Sequence, residues 1–211
     1  MRSINVQDKT MQLVGRTLSP FVRRVAVTLS LYGMPYESLA LSTVTDGAAI
    51  KGYNPVGRVP SLILDDGEVL IDSSAIIDHL DELAGSAALL PRAGAERRQV
   101  MRVLQIALGA TEKAVAAYYE GQRRPEGLSW PEGLANLEGQ FLGGFAALEA
   151  MLTGDFLCLG RLTQADVTAL CGHDFAARVM PGLITGRFPR LSALSARLNA
   201  DPRIGGTAFK G

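Results

Sequence analysis

The sequence predicts two dissimilar halves, a mixed α/β unit followed by an all-helical one. Three observations carry this. Strand and helix patterns alternate up to about residue 84; a linker containing Pro91 follows; beyond it, apolar residues recur only at helical spacing. At 211 residues the chain is long enough for two small units that each bury a core. The expected organisation is a polar leader over 1–10, a mixed unit over 11–84, a linker over 85–95 and a helical unit over 96–211.

In the mixed unit, Met11 to Gly15 reads as a short buried strand. Ser19 and Pro20 then open a helix, Ser at the N-cap and Pro at the first helical position. Val22, Val25, Ala26 and Leu29 give that helix one apolar face, and Gly33 with Pro35 ends it. Tyr36 to Leu41 resembles a second strand, and 43–53 holds one short helix. The stretch Asn54-Pro55-Val56-Gly57-Arg58-Val59-Pro60 is rich in turn residues. Ser61 to Leu64 and Val69 to Ile71 form a hairpin around Asp65-Asp66-Gly67-Glu68. Asp72 or Ser73 caps a further helix with Ile76, Ile77, Leu80 and Leu83 on its apolar face. The order is βαβ, a connection, then ββα.

In the helical unit, Glu96 to about Gln122 is one long helix. Leu134, Leu137, Phe141, Phe145, Leu148 and Leu152 mark a second, weakened by Gly139, Gly143 and Gly144. Helices over about 163–178 and 189–200 complete it. Thr163-Gln164-Ala165-Asp166 fits a capping box, which is a folding device rather than a catalytic one.

Lys plus Arg and Asp plus Glu are equal at 21 each, so the chain lacks the basic excess that nucleic-acid binding requires. The pairs Arg23-Arg24, Arg97-Arg98 and Arg123-Arg124 are expected on solvated helix faces. Two cysteines, Cys158 and Cys171, make no disulfide framework, and a reducing cytoplasm suits them. No apolar run approaches the ~20 residues of a membrane helix. His79 and His173 have no ligand-spaced partners, so no metal site is expected.

Three constellations offer chemistry. Ser19 sits at a helix N-terminus, where unpaired amides and the helix dipole favour an anion. If that anion is a thiolate, the hydroxyl donates to it. A free thiol titrates near ~8.5, and helix N-termini lower that value. The same Ser serves equally as a plain cap. Val59-Pro60 precedes a strand, where a cis bond turns the Val59 backbone toward a peptide-like ligand, whereas a trans Pro simply starts the strand. Asp72-Ser73-Ser74-Ala75-Ile76 lies at a strand-to-helix junction. Its carboxylate suits an ammonium and its hydroxyl and amides suit a carboxylate, or it caps the helix alone.

Taken in order, these motifs resemble the soluble, cytosolic glutathione transferase superfamily over residues 11–200. Ser19-Pro20-Phe21-Val22-Arg23 is similar to serine-type members, whose Ser stands four residues before the helix Arg. Asn54 to Pro60 is similar to the family's N-P-x-G-[KQ]-V-P, with the cis proline last. Asp72 to Ile76 is similar to E-S-x-A-I, with Asp one methylene shorter than the usual Glu. The stretch Gln122 to Glu126 and the Leu-Leu-Pro91 linker look most like an uncharacterised bacterial branch.

The resemblance implies a thioredoxin-like first domain with a mixed four-stranded sheet and an all-α bundle second. It implies glutathione as co-substrate, with Ser19 on the thiolate. Val59 and Pro60 would meet the cysteinyl part, Arg58 the glycyl end, Asp72 and Ser73 the γ-glutamyl end, and Phe21 the cleft wall. Tyr118, Tyr119, Arg123 and Trp130 would meet a small hydrophobic electrophile, with Tyr118 and Tyr119 equally suited to the core. A homodimer and a role in detoxification follow from the same resemblance. A glutathione-binding regulatory protein without turnover, or a glutathione-dependent peroxidase or dehalogenase, uses the same scaffold.

Overall fold

A computed structural model describes residues 10–125, 127–128 and 130–210. Residues 1–9 of the expected leader, and Glu126 at the end of the stretch after the first long helix, lie outside the described residues. The chain divides into two compact units. One comprises residues up to Ala87 together with the segment from Gly206, and the other is Ala88–Gly205.

In the first unit β1 (Met11–Val14), α1 (Pro20–Leu31), β2 (Tyr36–Leu39), α2 (Gly47–Tyr53), β3 (Ser61–Ile63), β4 (Val69–Ile71) and α3 (Ser73–Ala84) follow in the order the sequence predicts. The sheet runs β2-β1-β3-β4. β1 is parallel to β2, pairing Met11 with Tyr36 and Val14 with Leu39. β3 is antiparallel to both β1 and β4, with Leu62 opposite Leu13 and Leu70. A parallel neighbour requires a crossover, which α1 supplies, whereas the β3–β4 pair needs only a tight turn. This is a mixed, four-stranded, thioredoxin-like sheet.

Strand alternation puts Leu13 and Leu62 on one face. They pack against Val22, Val25, Ala26 and Leu29 of α1 and against Ile76, Ile77 and Leu80 of α3. Burying each larger aliphatic side chain contributes about 1.5–3 kcal/mol, enough in sum to hold both helices to the sheet. Two expectations fail here. Leu83, assigned by spacing to the same stripe, is 56% exposed. The buried cluster stops at Leu80, and the last turn of α3 runs past it. Arg23 and Arg24 are buried rather than solvated, Arg24 to 1% exposure. α1 is enclosed on every side from Val22 to Leu29, so it has no free face for a charged pair. Arg98, Arg123 and Arg124 do lie exposed.

The second unit contains α4 (Gly94–Gln122), α5 (Pro131–Met151), α6 (Gln164–Val179), α7 (Pro181–Ile184), α8 (Pro189–Asn199) and α9 (Pro202–Gly205). α4 buries a seam of Val103, Leu104, Ala107, Ala110, Thr111, Ala114 and Ala117, and it packs on α5 and α6. The small residues of this seam let α5 approach closely. A β-carbon at Gly144 would fall 2.6 Å from that of Ala110, so the glycine that weakens α5 locally is demanded by the packing. α6 is buried along most of its length. The capping box at its start is formed: Asp166 Oδ2 accepts the Thr163 amide at 2.9 Å and the Thr163 hydroxyl at 2.8 Å, while Oδ1 accepts the Leu157 amide at 2.8 Å.

Candidate functional site

The register of the first sheet determines what lies together. Val14 pairs with Ser61, and Ser61 pairs with Ile71. The chain just after β1, just before β3 and just after β4 therefore sits at one end of the sheet. Those segments carry Ser19, Val59-Pro60 and Asp72.

Ser19 is the N-cap of α1, with φ −64° and ψ 122°. Its amide donates to the Arg16 carbonyl at 3.0 Å, closing a tight turn between strand and helix. Its Oγ accepts the Val22 amide at a long 3.4 Å. Among the described residues the hydroxyl proton of Ser19 has no acceptor. The side chain is half-buried, and so is that of Phe21 beside it.

The Val59-Pro60 bond is cis. Asn54 shapes the approach to it. Its amide nitrogen donates to the Arg58 carbonyl at 3.1 Å, and its side-chain oxygen accepts the Val56 amide at 3.0 Å. Arg58 itself is exposed. Gly15, in a positive-φ conformation of 124°, lets Val59 and Val22 crowd the end of β1. A β-carbon at position 15 would meet Val22 Cγ2 at 2.6 Å and Val59 Cβ at 2.9 Å.

Asp72 caps α3, its carboxylate accepting the Ser74 amide at 3.0 Å. Its backbone has φ 53°, a region that side-chain-bearing residues enter at a cost and that gathers at functional sites. The Asp72 side chain is exposed, whereas Ser73 is buried. The Ser73 hydroxyl sits 3.4 Å from Asp72 Oδ1 and receives Arg24 Nη1 at 3.4 Å. Arg24 thus ties the middle of α1 to the start of α3. Of the two residues expected to hold an amino-acid end, Asp72 presents its carboxylate outward and Ser73 turns its hydroxyl inward.

Sequence reasoning passed over three residues that build this end of the sheet. Gly15 was legible only as the last residue of a strand, and Asn54 as a turn residue and the first of the motif that ends at Pro60, with no role of its own. Arg24 carried a misleading signal, since a basic pair ordinarily marks a wet face.

In the second unit, Tyr118, Tyr119 and Arg123 gather at the end of α4. The Tyr118 ring stands edge-on to Tyr119 and to Phe175, both at 5.8 Å between centroids, and Arg123 Cζ lies 5.6 Å above it. Tyr118 is half-buried against α6 and Tyr119 is 44% exposed. Trp130 is 65% exposed, and its amide donates to Glu120 Oε1 at 3.1 Å.

A thioredoxin-like sheet whose strand ends gather a capping Ser, a cis Pro and a positive-φ acid, with an all-helical unit after it, defines a glutathione transferase-type architecture. A family model described as the N-terminal domain of glutathione S-transferase matches residues 13–88. The chain is 32% identical over 205 residues to a probable maleylacetoacetate isomerase of Vibrio cholerae, covering 90% of this chain and 91% of that one. It is 27% identical over 190 residues to the uncharacterized GST-like protein YibF of Escherichia coli, covering 89% and 93%. A glutathione transferase family member from Pseudomonas fluorescens, solved with bound glutathione, superposes with a TM-score of 0.85 at 27% identity, covering 96% and 100%. The chain belongs to the glutathione S-transferase family.

Proposed function

We propose that the protein binds reduced glutathione at the strand ends of its first unit and that Ser19 donates a hydrogen bond to the glutathione thiolate. The ionised sulfur then attacks an electrophilic carbon of a small apolar co-substrate, forming the C–S bond as the bond to a leaving group on that carbon breaks and the group departs with its electron pair. The observation that carries this reading is the hydroxyl of Ser19 at the N-terminus of α1, whose proton has no acceptor among the described residues. A charge-assisted hydrogen bond and the helix terminus both favour the charged sulfur. Lowering a thiol by one pKa unit needs about 1.4 kcal/mol, which these two effects together supply. Val59 would pair its backbone with the cysteinyl part and Pro60 would hold that edge. Asp72, with Ser73 and the α3 amides, would hold the γ-glutamyl end, Arg58 the glycyl carboxylate, and Phe21 the wall beside the sulfur. Tyr118, Tyr119, Arg123 and Trp130 are assigned to the co-substrate. We place the protein in the cytoplasm, in detoxification, as a homodimer. The exposed Val69 and Ile71 on edge strand β4 and Leu83 on α3 offer apolar surface for that assembly.

A second reading is favoured by the isomerase name of a relative that matches nine-tenths of the chain. The same thiolate, adding reversibly to a conjugated alkene, permits rotation about the former double bond before it leaves. The product then carries no glutathione. Both readings need Ser19, and they differ only in whether glutathione is consumed.

Conjugation of a chloronitrobenzene, together with glutathione calorimetry on wild type and Ser19→Ala, tests the proposal. Ser19→Ala should lower the conjugation rate at neutral pH by about ten-fold or more while moving glutathione affinity by less than about three-fold, the mark of a group that acts on the nucleophile rather than on binding. An unchanged rate discards the role of Ser19, and absence of binding heat in wild type discards glutathione itself.

A further inference from the structure

Past α9 the chain turns back, and residues 206–210 pack with the first unit. There the ring of Phe209 lies beneath the guanidinium of Arg16, 4.9 Å from Cζ to the ring centroid. Phe209 is half-buried in this position and Arg16 is exposed. Arg16 follows Gly15 directly, and its carbonyl accepts the Ser19 amide, closing the turn that delivers Ser19 to the start of α1. Arg16 also acts electrostatically on Asp46, the residue that precedes α2. Its charge is one of the causes that hold the Asp46 carboxyl below the usual range, after the bonds from the Ser42 amide and the Thr45 hydroxyl. One residue therefore joins three stretches. Its planar head meets the returning segment, its charge meets the loop before α2, and its backbone closes the turn of Ser19.

We infer that Arg16 and Phe209 form a clasp that positions the Ser19 hydroxyl, so that the returning segment is part of the machinery that stabilises the bound thiolate. The inference rests on the role assigned to Ser19 above. Its physical basis is the directionality of a hydrogen bond, which weakens steeply when donor and acceptor are misaligned. The Ser19 turn is anchored on one side by α1, and on the other by a residue whose side chain is held from outside the turn. A guanidinium stacks on an aromatic face by plane as well as by charge, and it is less strongly hydrated than an ammonium. Lysine at position 16 would keep the charge and lose the stack. Leucine at position 209 would keep apolar bulk and lose the face, and tyrosine would keep both.

The test uses the full chain carrying Phe209→Leu, Phe209→Tyr, Arg16→Lys or Ser19→Ala, with thermal melting to establish that each variant folds. Two quantities are read: amide hydrogen exchange at Ser19 without ligand, and the pH midpoint of thiolate absorbance of bound glutathione. Phe209→Leu and Arg16→Lys should speed exchange at Ser19 by about ten-fold, the signature of local loosening, and should raise the thiolate midpoint by about half a unit. Phe209→Tyr should match wild type in both. Wild-type exchange and midpoint in Phe209→Leu would overturn the clasp, even if Ser19→Ala shifts the midpoint as expected. A midpoint that Ser19→Ala fails to move would instead overturn the role of Ser19, and the purpose of the clasp with it, whatever the exchange shows.

Discussion

Gly15 and Val59 approach so closely that a β-carbon on Gly15 would stand 2.9 Å from that of Val59. The same carbon would be nearer still to Val22, inside the helix that Ser19 caps. Position 15 is thus the point at which the end of β1, the residue before the cis proline and the first turn of α1 are pressed together. Alanine there suffers overpacking and a backbone region hostile to a β-carbon. Gly15→Ala should destabilise the protein by about 2 kcal/mol or more and should weaken glutathione binding as Val59 is pushed aside. Urea unfolding and calorimetry measure the two effects. A variant as stable as wild type with unaltered affinity would show that the crowding at Gly15 has no bearing on the ligand.

Asp72 combines a cap, a charge and a left-handed backbone, and asparagine separates them. Asn enters the positive-φ region more readily than most residues and accepts the Ser74 amide equally well. Asp72→Asn should therefore keep stability within about 0.5 kcal/mol while losing the attraction to an ammonium. Glutathione affinity should fall by about ten-fold, or about 1.4 kcal/mol. Equal affinity in the variant would remove Asp72 from the γ-glutamyl assignment and leave it a helix cap.

Asn54 makes a different kind of contribution, since among the described residues its side chain hydrogen-bonds to backbone groups alone. Its side chain fixes the Arg58 carbonyl and the Val56 amide, and thereby the loop that presents Val59. Asn54→Ala leaves both groups without their partner at a half-buried place, which costs about 1–3 kcal/mol. If the loop presents Val59 to a peptide, the KM for glutathione should rise several-fold with kcat less affected. Steady-state kinetics at saturating electrophile reads that split, and an unchanged KM would sever the loop from binding.

Much of this architecture was legible because punctuation and period agree. Ser19-Pro20 before a helical stripe, Gly33 after it, and Asp-Gly between two short apolar runs each have one economical reading, and together they order the first sheet. The strand ends that gather Ser19, Pro60 and Asp72 follow from that order. Burial on the second face of a helix did not follow. Periodicity gives the face that meets the sheet, but whether Arg24 is wet depends on what else packs on α1, and no local pattern records that. Leu83 fails for the converse reason, as its stripe runs past its partner. The one-turn helices α7 and α9 are too short to show a period. The return of 206–210 to the first unit includes a contact between positions almost 200 residues apart, the ring of Phe209 beneath the guanidinium of Arg16, and no local pattern announces a pairing so distant.

Asp166 offers the sharpest test of stability in the second unit. It is fully buried, and its two oxygens accept from two amides and a hydroxyl. Asparagine can satisfy only one side of this arrangement, because its amide group would face a donor on the other. Asp166→Asn should cost about 2–4 kcal/mol by urea unfolding at neutral pH. The pH dependence has a definite sign. Burial pushes the Asp166 carboxyl above its ordinary 3.8, and the hydrogen bonds from Leu157 and Thr163 pull it only partly back. A carboxyl raised on folding favours the folded state most below the unfolded value and loses that contribution as pH rises through the folded value. Other groups titrate alike in both proteins and cancel in the difference. The stability gap between wild type and Asp166→Asn should therefore narrow as pH is raised from about 4 toward about 7. A gap that widens over that range would mean that the hydrogen bonds outweigh burial and that Asp166 is ionised more readily in the folded chain than in the unfolded one.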